Sequence, residues 1–335
     1  MLKAFKFRIY PTDSQKQWLI QTFGCVRFTY NHLLKARQAY YLETQEIDYT
    51  LTPASLKKQY PFLKEVDSLA LANAQLNLDR AFRNYFKGRA SFPKLKNKKS
   101  IWQSYTTNNQ KGTIYLEETY LKLPKLKEKI RIHAHRPIEG TIRSATISSR
   151  YNEIFYVSLL CEVPQKTMKA SNKWIGIAYD PDRLVEMSTP LDITIPKFKQ
   201  VDQQLLRAKR KLVIKGRSAQ HRRTHVERVK NYQKQKRKIK DLYLKQKFQR
   251  EDYLEQISGT VIRHYDYLFV ESISADCPEG DFSIQDWHKL LAKLQYKSQW
   301  YSKKLVLIDM KEQTDPSTNK KSLELVEIGK QVLFE

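Results

Sequence analysis

The chain has 335 residues, 41% of them hydrophobic, enough for two or three domains with their own cores. Its 61 lysines and arginines against 35 acids leave a formal net charge of +26, which points to a polyanionic partner, nucleic acid above all. There is no apolar run of the roughly 18 residues that a membrane helix needs. The N-terminus is unlike a signal peptide, and Cys25, Cys161 and Cys277 lie too far apart for a disulfide framework or a cysteine-rich zinc site, which predicts an intracellular protein.

Residues 2–10 alternate, with Phe5, Phe7 and Ile9 on one face and Lys6 and Arg8 on the other. This predicts a strand, stopped by Pro11. Thr12 and Gln15 have capping-box spacing and start a helix that runs to about residue 42. A second helix is predicted from about Ser68 to Phe86, where Leu71, Leu78, Ala81, Phe82 and Tyr85 recur at helical spacing and Gly88 serves as the C-cap. Residues 91–165 hold short alternating runs such as Thr113–Leu116 and Phe155–Leu160, the pattern of a small antiparallel barrel or sheet. Its first strand would be residues 2–10, making the helices at about 12–90 an insertion.

Residues 166–172 are polar and linker-like, and the apolar strand at 173–178 opens a new domain. From 198 to 260 a sparse stripe of Leu205, Leu212, Val226, Val229, Ile239, Leu242 and Phe248 predicts two long helices, broken near Gly216-Arg217-Ser218. Between 201 and 250 there are 18 basic residues and 3 acidic ones, a surplus of 15 out of the chain's 26. An ordinary exposed helix mixes signs, so this surplus predicts nucleic-acid contact. An apolar strand at 267–271 ends in Glu271. A helix at 283–300, a strand at 303–309 and a polar loop at 311–321 follow. His221 and His225 lack an H-E-x-x-H context, and with only 9 glycines the chain has no phosphate-cradling loop.

Several motifs agree with one family. Lys6–Thr12, Phe23–Asn31, Leu78–Phe82, Phe92–Lys99 with Gln103–Asn108, and Leu294–Tyr301 with Leu305–Asp309 resemble TnpB proteins in order and spacing. Those are transposon-encoded RNA-guided nucleases related to type V CRISPR effectors. The strands at 173–180 and 267–271 look like the central pair of an RNase H-like (RuvC-type) core. The resemblance implies an α+β multidomain protein. Residues 1–11 and 91–168 would form a wedge domain, an oligonucleotide-binding-like β-barrel, with a helical recognition insertion at 12–90. Residues 172–335 would form a RuvC-like α/β domain carrying the long basic helical insertion. It further implies guide RNA as an obligatory partner, duplex target DNA beside a short adjacent motif, one protein monomer per guide RNA, no membrane partner, and a cytoplasmic place on the bacterial nucleoid.

The chain departs from that family where the chemistry lies. Such a core clamps two metal ions about 4 Å apart with several carboxylates. By resemblance these are an Asp on the first strand, a Glu on the second and an Asp near the C-terminus. Ala178 stands at the first position and Glu271 at the second. The stretch after Asp309, Met310–Asn319, lacks the family's four-cysteine zinc ribbon, and the chain ends without the final Asp motif. The expectation is therefore a catalytically degenerate protein that is not an enzyme, with neither zinc nor catalytic Mg²⁺, repressing transcription by occupying a promoter. The alternative is a nuclease with relocated acids. Asp180, two residues after Ala178, would share its face in a strand, although Pro181 predicts that the strand has ended and that Asp180 and Asp182 lie in a loop.

Phosphate grip needs cations. It is assigned to Lys94, Lys96, Lys98 and Lys99, and to Lys209, Arg210, Lys211, Arg217, Arg222, Arg223, Lys234, Lys236, Arg237 and Lys238. Arg27 and Asn31 match family positions near the junction of wedge and RNA. Duplex readout needs paired donors and acceptors with aromatic surface. Asn73, Gln75 and Asn77 on the second helix and Gln103, Ser104 and Tyr105 on the next strand are the candidates, and by resemblance they flank the target-adjacent motif.

Overall fold

Strand β1 (Leu2–Tyr10) buries Phe5, Phe7 and Ile9 and exposes Lys6 and Arg8, as its alternation requires. It lies inside a seven-stranded sheet with β2 (Trp102–Asn108), β3 (Tyr115–Glu117), β4 (Tyr120–Lys122), β5 (Ile130–His133), β6 (Thr141–Arg150) and β7 (Ile154–Glu162). The order is β2-β6-β7-β1-β5-β4-β3, antiparallel throughout. This computed structural model describes residues 1–165, 168, 170–273, 280–310 and 321–334. Cys277, most of the polar loop expected at 311–321, and Lys166, Thr167 and Lys169 of the expected linker lie outside the described residues. The chain divides into two compact units, residues 1–164 and 165–335.

In the first unit three helices separate β1 from β2. Helix α1 (Asp13–Thr44) starts at a reciprocal capping box, in which Thr12 N–H donates to Gln15 Oε1 at 3.0 Å and Gln15 N–H to Thr12 Oγ1. Helix α2 (Pro53–Gln59), with a 3₁₀ turn at Pro61–Lys64, was not expected: its seven residues are too few for a periodic signal. Helix α3 (Ser68–Phe86) is capped by Asp67 and ends at Lys87, with Gly88 following in the left-handed region. Leu19, Phe23 and Leu33 of α1 and Leu71, Leu78 and Phe82 of α3 share one core with Phe5, Phe7 and Ile9. Arg37, 1% exposed, is held within this unit by Asp79 at 2.6 Å, and its guanidinium lies 4.6 Å from the Tyr49 ring.

The second unit carries a four-stranded sheet. Strands β8 (Trp174–Asp180), β10 (Tyr267–Ser272) and β11 (Lys304–Asp309) are parallel, and β9 (Leu184–Met187) is antiparallel to β8, in the order β11-β10-β8-β9. The parallel strands read as apolar runs because both faces are covered. Ile175, Ile177 and Val270 pack against Ile257 and Val261 of α5 (Lys230–His264) and Trp287 and Leu290 of α6 (Ile284–Trp300). On the other face Ala178, Phe269 and Ile308 meet Leu325 of α7 (Lys321–Phe334), a helix absent from the expectation. Two glycines permit that close seating. A Cβ at Gly176 would strike the Ser322 backbone carbonyl, and one at Gly329 would enter the Phe269 ring.

Two local expectations are corrected. Helix α4 (Phe198–His221) runs through Gly216, and the break falls at 222–229, where Arg223 takes a positive φ. One helical glycine costs only about 1 kcal/mol. The contact of Val201, Leu205 and Ala208 with Ile239 and Leu242 outweighs it. Val226 and Val229 lie in the break rather than on the stripe, and Phe248 is exposed. The strand also does not stop before Asp180, which is its last residue and pairs with Leu184. Only the following residues turn, so the missing Pro181 N–H costs the ladder nothing. Among the described residues no helix is long and apolar enough to cross a membrane.

Candidate functional site

At the end of β8, Ala178 is fully buried, and its partner across the β8–β9 ladder is Glu186. Cross-strand partners share a face, so Glu186 stands beside the alanine methyl on the α7 side. Glu186 Oε1 accepts from Ser322 Oγ at 2.8 Å and from Ser322 N–H at 3.3 Å. Glu271, 7% exposed, accepts the Tyr179 N–H at 2.8 Å, and its other oxygen lies 3.8 Å from the Lys321 ammonium. Two strand carboxylates thus tie down the start of α7. Glu186 was missed because only the β8–β9 hairpin brings it to Ala178. Asp180 Oδ1 accepts the N–H groups of Asp182 and Arg183 at 2.8 and 2.9 Å, which commits it to the turn. Among the described residues no three His, Cys, Asp or Glu side chains form a group able to hold a metal ion, and the methyl of Ala178 offers no ligand atom.

In the first unit the structure gathers several expected residues around the loop between α3 and β2. Asn31 of α1 donates to the Lys96 carbonyl at 2.9 Å and accepts the Lys96 N–H at 2.8 Å. The Lys96 ammonium sits 4.3 Å from the Tyr30 ring centre, and loss of surrounding water lowers its pKa. Lys94, Lys98 and Lys99 are exposed. Arg27 donates to Gln103 Oε1 at 3.2 Å, and Gln103 Nε2 donates to the carbonyls of Asn97 and Lys98 at 3.0 and 3.3 Å. Gln103 thus has partners at both ends of its amide. The expectation for Tyr105 is corrected. Between exposed Ser104 and half-buried Thr106 it points into the core, 3% exposed and 5.6 Å from the Phe23 ring, and burial pushes its phenol far above the ordinary value.

The α3 candidates do not form one reading face. Asn73 donates to the Leu69 carbonyl at 2.9 Å and lies 3.5 Å from Asn108 Oδ1. Exposed Asn77 follows one turn later, while Gln75 is rotated about 200° from Asn73 by helical geometry. All ten cations expected on the basic helices are exposed along the α4–α5 hairpin. Lys209 lies over the Tyr243 ring at 5.2 Å, and Arg222 donates to the Ser218 carbonyl at 3.1 Å.

The fold defines the class. The chain matches the protein of a cryo-EM Cas12f1–sgRNA–target DNA complex with a TM-score of 0.57 at 13% identity, over 89% of this chain and 74% of that one. This makes it an α+β protein of Cas12f1-like fold. A helix-turn-helix domain model, HTH_OrfB_IS605, matches residues 1–46, which here form β1 and the single helix α1. A Streptomyces pristinaespiralis protein named "Putative RNA-guided DNA endonuclease" is 31% identical over 324 residues, 92% of this chain and 77% of its own. InsQ of Escherichia coli (strain K12), named in the same way, is 24% identical over 330 residues, 89% of this chain and 78% of its own. The chain belongs to the TnpB-like family of RNA-guided DNA endonucleases. The expectation of a protein that is not an enzyme, drawn from Ala178 and the C-terminal sequence, is corrected by this finding, since relatives spanning most of the chain are named as endonucleases.

Proposed function

We propose that the protein binds duplex DNA under the direction of a guide RNA, beside a short adjacent motif, and represses transcription when the target lies in a promoter. The observation that carries this reading is the row of exposed cations on the α4–α5 hairpin, in a chain whose relatives are named as RNA-guided. A surface of this length with so large a basic surplus suits two polyanions held together. The Cas12f1-like fold supports the same partners, since that protein was seen with sgRNA and target DNA. In this reading residues 1–11 and 91–168 act as the wedge, residues 12–90 as the recognition insertion, and residues 172–335 as a RuvC-like unit. One chain serves one guide RNA. An RNA–DNA hybrid held at a promoter obstructs RNA polymerase.

The test is to purify the protein from its native cells and sequence the RNA that accompanies it. One structured RNA with a constant scaffold and a short 3′ segment matching a chromosomal promoter is the expected result. Heterogeneous RNA, or none, would overturn guidance. A second reading, cleavage of the guided target, is favoured by the relatives' names. Mg²⁺-dependent cutting of a matched duplex, abolished in Glu271→Gln, would establish it.

A further inference from the structure

In the first unit α1 and α3 cover one face of the sheet, where Phe5, Phe7 and Ile9 fill the core and Phe23 meets Tyr105. The residues that alternate with these build the other, outer face. There the register aligns Ser104, Ser148, Tyr156 and Arg8 in one row across β2, β6, β7 and β1, and Thr106, Thr146, Ser158 and Lys6 in the next. A third row begins Trp102, Arg150, Ile154. None of the three rows contains an acid. The Trp102 and Tyr156 rings meet across β6, with centres 6.0 Å apart and planes at 42°. The Lys6 ammonium lies 5.6 Å from the first ring centre and 5.1 Å from the second, and the Arg8 guanidinium lies 5.1 Å from that of Tyr10. Lys6, Arg8, Tyr10 and Ser104 are exposed, and Trp102 and Tyr156 are half-buried.

We propose that this outer face is a stacking platform for an unpaired stretch of the guide RNA, with neighbouring bases on the Trp102 and Tyr156 rings and the phosphates beside them on Lys6 and Arg8. Rings on a sheet face take splayed-out bases by their π-faces, whatever the sequence, and cations beside them take the backbone. Lys6 rests on the rings where its row offers no carboxylate. A phosphate would draw the ammonium aside and leave the rings to bases. An acid-free face with this charge complements a polyanion. RNA is the occupant because the hydroxyls of Ser104, Ser148 and Ser158 stand in the rows beside the rings. They can partner ribose 2′-OH groups, which a deoxy strand lacks. The platform rests on the guided-binding reading of the previous subsection.

The test uses the full chain with its co-purified RNA, with and without a matched DNA duplex. Ultraviolet crosslinking and mass spectrometry are expected to find ribonucleotide adducts on the peptides that carry Trp102 and Tyr156. The recovered RNA, rebound to the full chain freed of it, is the affinity probe. Trp102→Ala is expected to weaken rebinding about 5–150-fold, the loss of one stacked base. Trp102→Phe, which keeps a ring, should restore most of it. Lys6→Gln, at an exposed side chain, is expected to flatten the slope of log affinity against log salt by about 0.7, one phosphate contact on a single strand. That slope decides the matter should Trp102→Ala misfold. Lys58→Gln, on α2, whose Leu56 joins the core under the opposite face, is expected to change neither affinity nor slope. Adducts to deoxyribonucleotides alone, once the duplex is added, would overturn the RNA assignment. Normal RNA retention with no adduct on either peptide, and unchanged affinity and slope in folded variants, would overturn the platform alone. A chain that holds no RNA would overturn the guided reading itself.

Discussion

Asn31 grips both backbone polar groups of Lys96, a residue 65 positions away, at 2.9 and 2.8 Å. This one amide fixes the path of an exposed basic loop that has no secondary structure of its own. Asn31→Ala is expected to release it at a cost of about 1–3 kcal/mol in local stability. Limited proteolysis should then cut within 93–100 faster than in the parent chain. Asn31→Asp, which can accept but not donate, should fall between. Unchanged cleavage would show that Gln103 alone holds the loop.

The pairing of buried Arg37 with half-buried Asp79 explains an acid in the middle of α3. Asp79→Ala would strand a guanidinium that is 1% exposed, with an expected loss of about 3–5 kcal/mol. Chemical denaturation measures it directly. A loss below about 1 kcal/mol, the range of an exposed ion pair, would mean that water reaches Arg37.

On the α4–α5 hairpin, Lys234, Lys236 and Lys238 are all exposed. Replacing all three with Gln should leave folding intact and weaken nucleic-acid binding. The slope of log affinity against log salt should flatten by up to about 2–3 units, if each lysine meets one phosphate. An unaltered slope would place the polyanion elsewhere.

Ala178→Asp would set a third carboxyl beside Glu186 and Glu271 in a buried layer. The expected result is a loss of about 3 kcal/mol or more, from an uncompensated buried charge. Added Mg²⁺ should recover part of it, because three carboxylates on one face form a cation site. A thermal midpoint indifferent to Mg²⁺ would show that Glu186 and Glu271 stay tied to Ser322, Tyr179 and Lys321.

Asp286, the third helical residue of α6 and partner of its N-cap Ser283 in a capping box, is 5% exposed and 3.0 Å from both Arg250 and Lys289. Burial works to raise its pKa, but its bond to Lys289, the charges of Lys289 and Arg250 and the Ser283 N–H together hold it below the ordinary 3.8. A pKa lower in the folded state than in the unfolded one contributes stability above the unfolded value, which is lost as pH falls through the folded value. Unfolding free energy should therefore drop with acid below about pH 4, and Asp286→Asn should reduce that slope. Equal slopes in the two proteins would remove Asp286 from the account.

Elements with a periodic or capping signal were legible before folding. Strand β1, the Thr12 capping box, α3 and α6 lie where alternation and spacing put them. The α4 break was misplaced because Gly216 weakens a helix only slightly, while the packing of Leu205 against Ile239 and Leu242 is a long-range fact. The candidate binding residues divided in the same way. Exposed cations stayed exposed, but Gln103 and Tyr105 acquired partners that no linear pattern names.

Composition and local order determined the basic character, the main helices and strands, and the family motifs, because these depend on neighbours a few residues apart. Tertiary structure alone decided that Glu186 stands opposite Ala178, that α7 closes over Gly176, and that Asn31 and Gln103 hold the basic loop. Each of those contacts joins segments whose meeting depends on sheet register and helix packing, and a register change of one residue would turn every side chain of a strand to its other face.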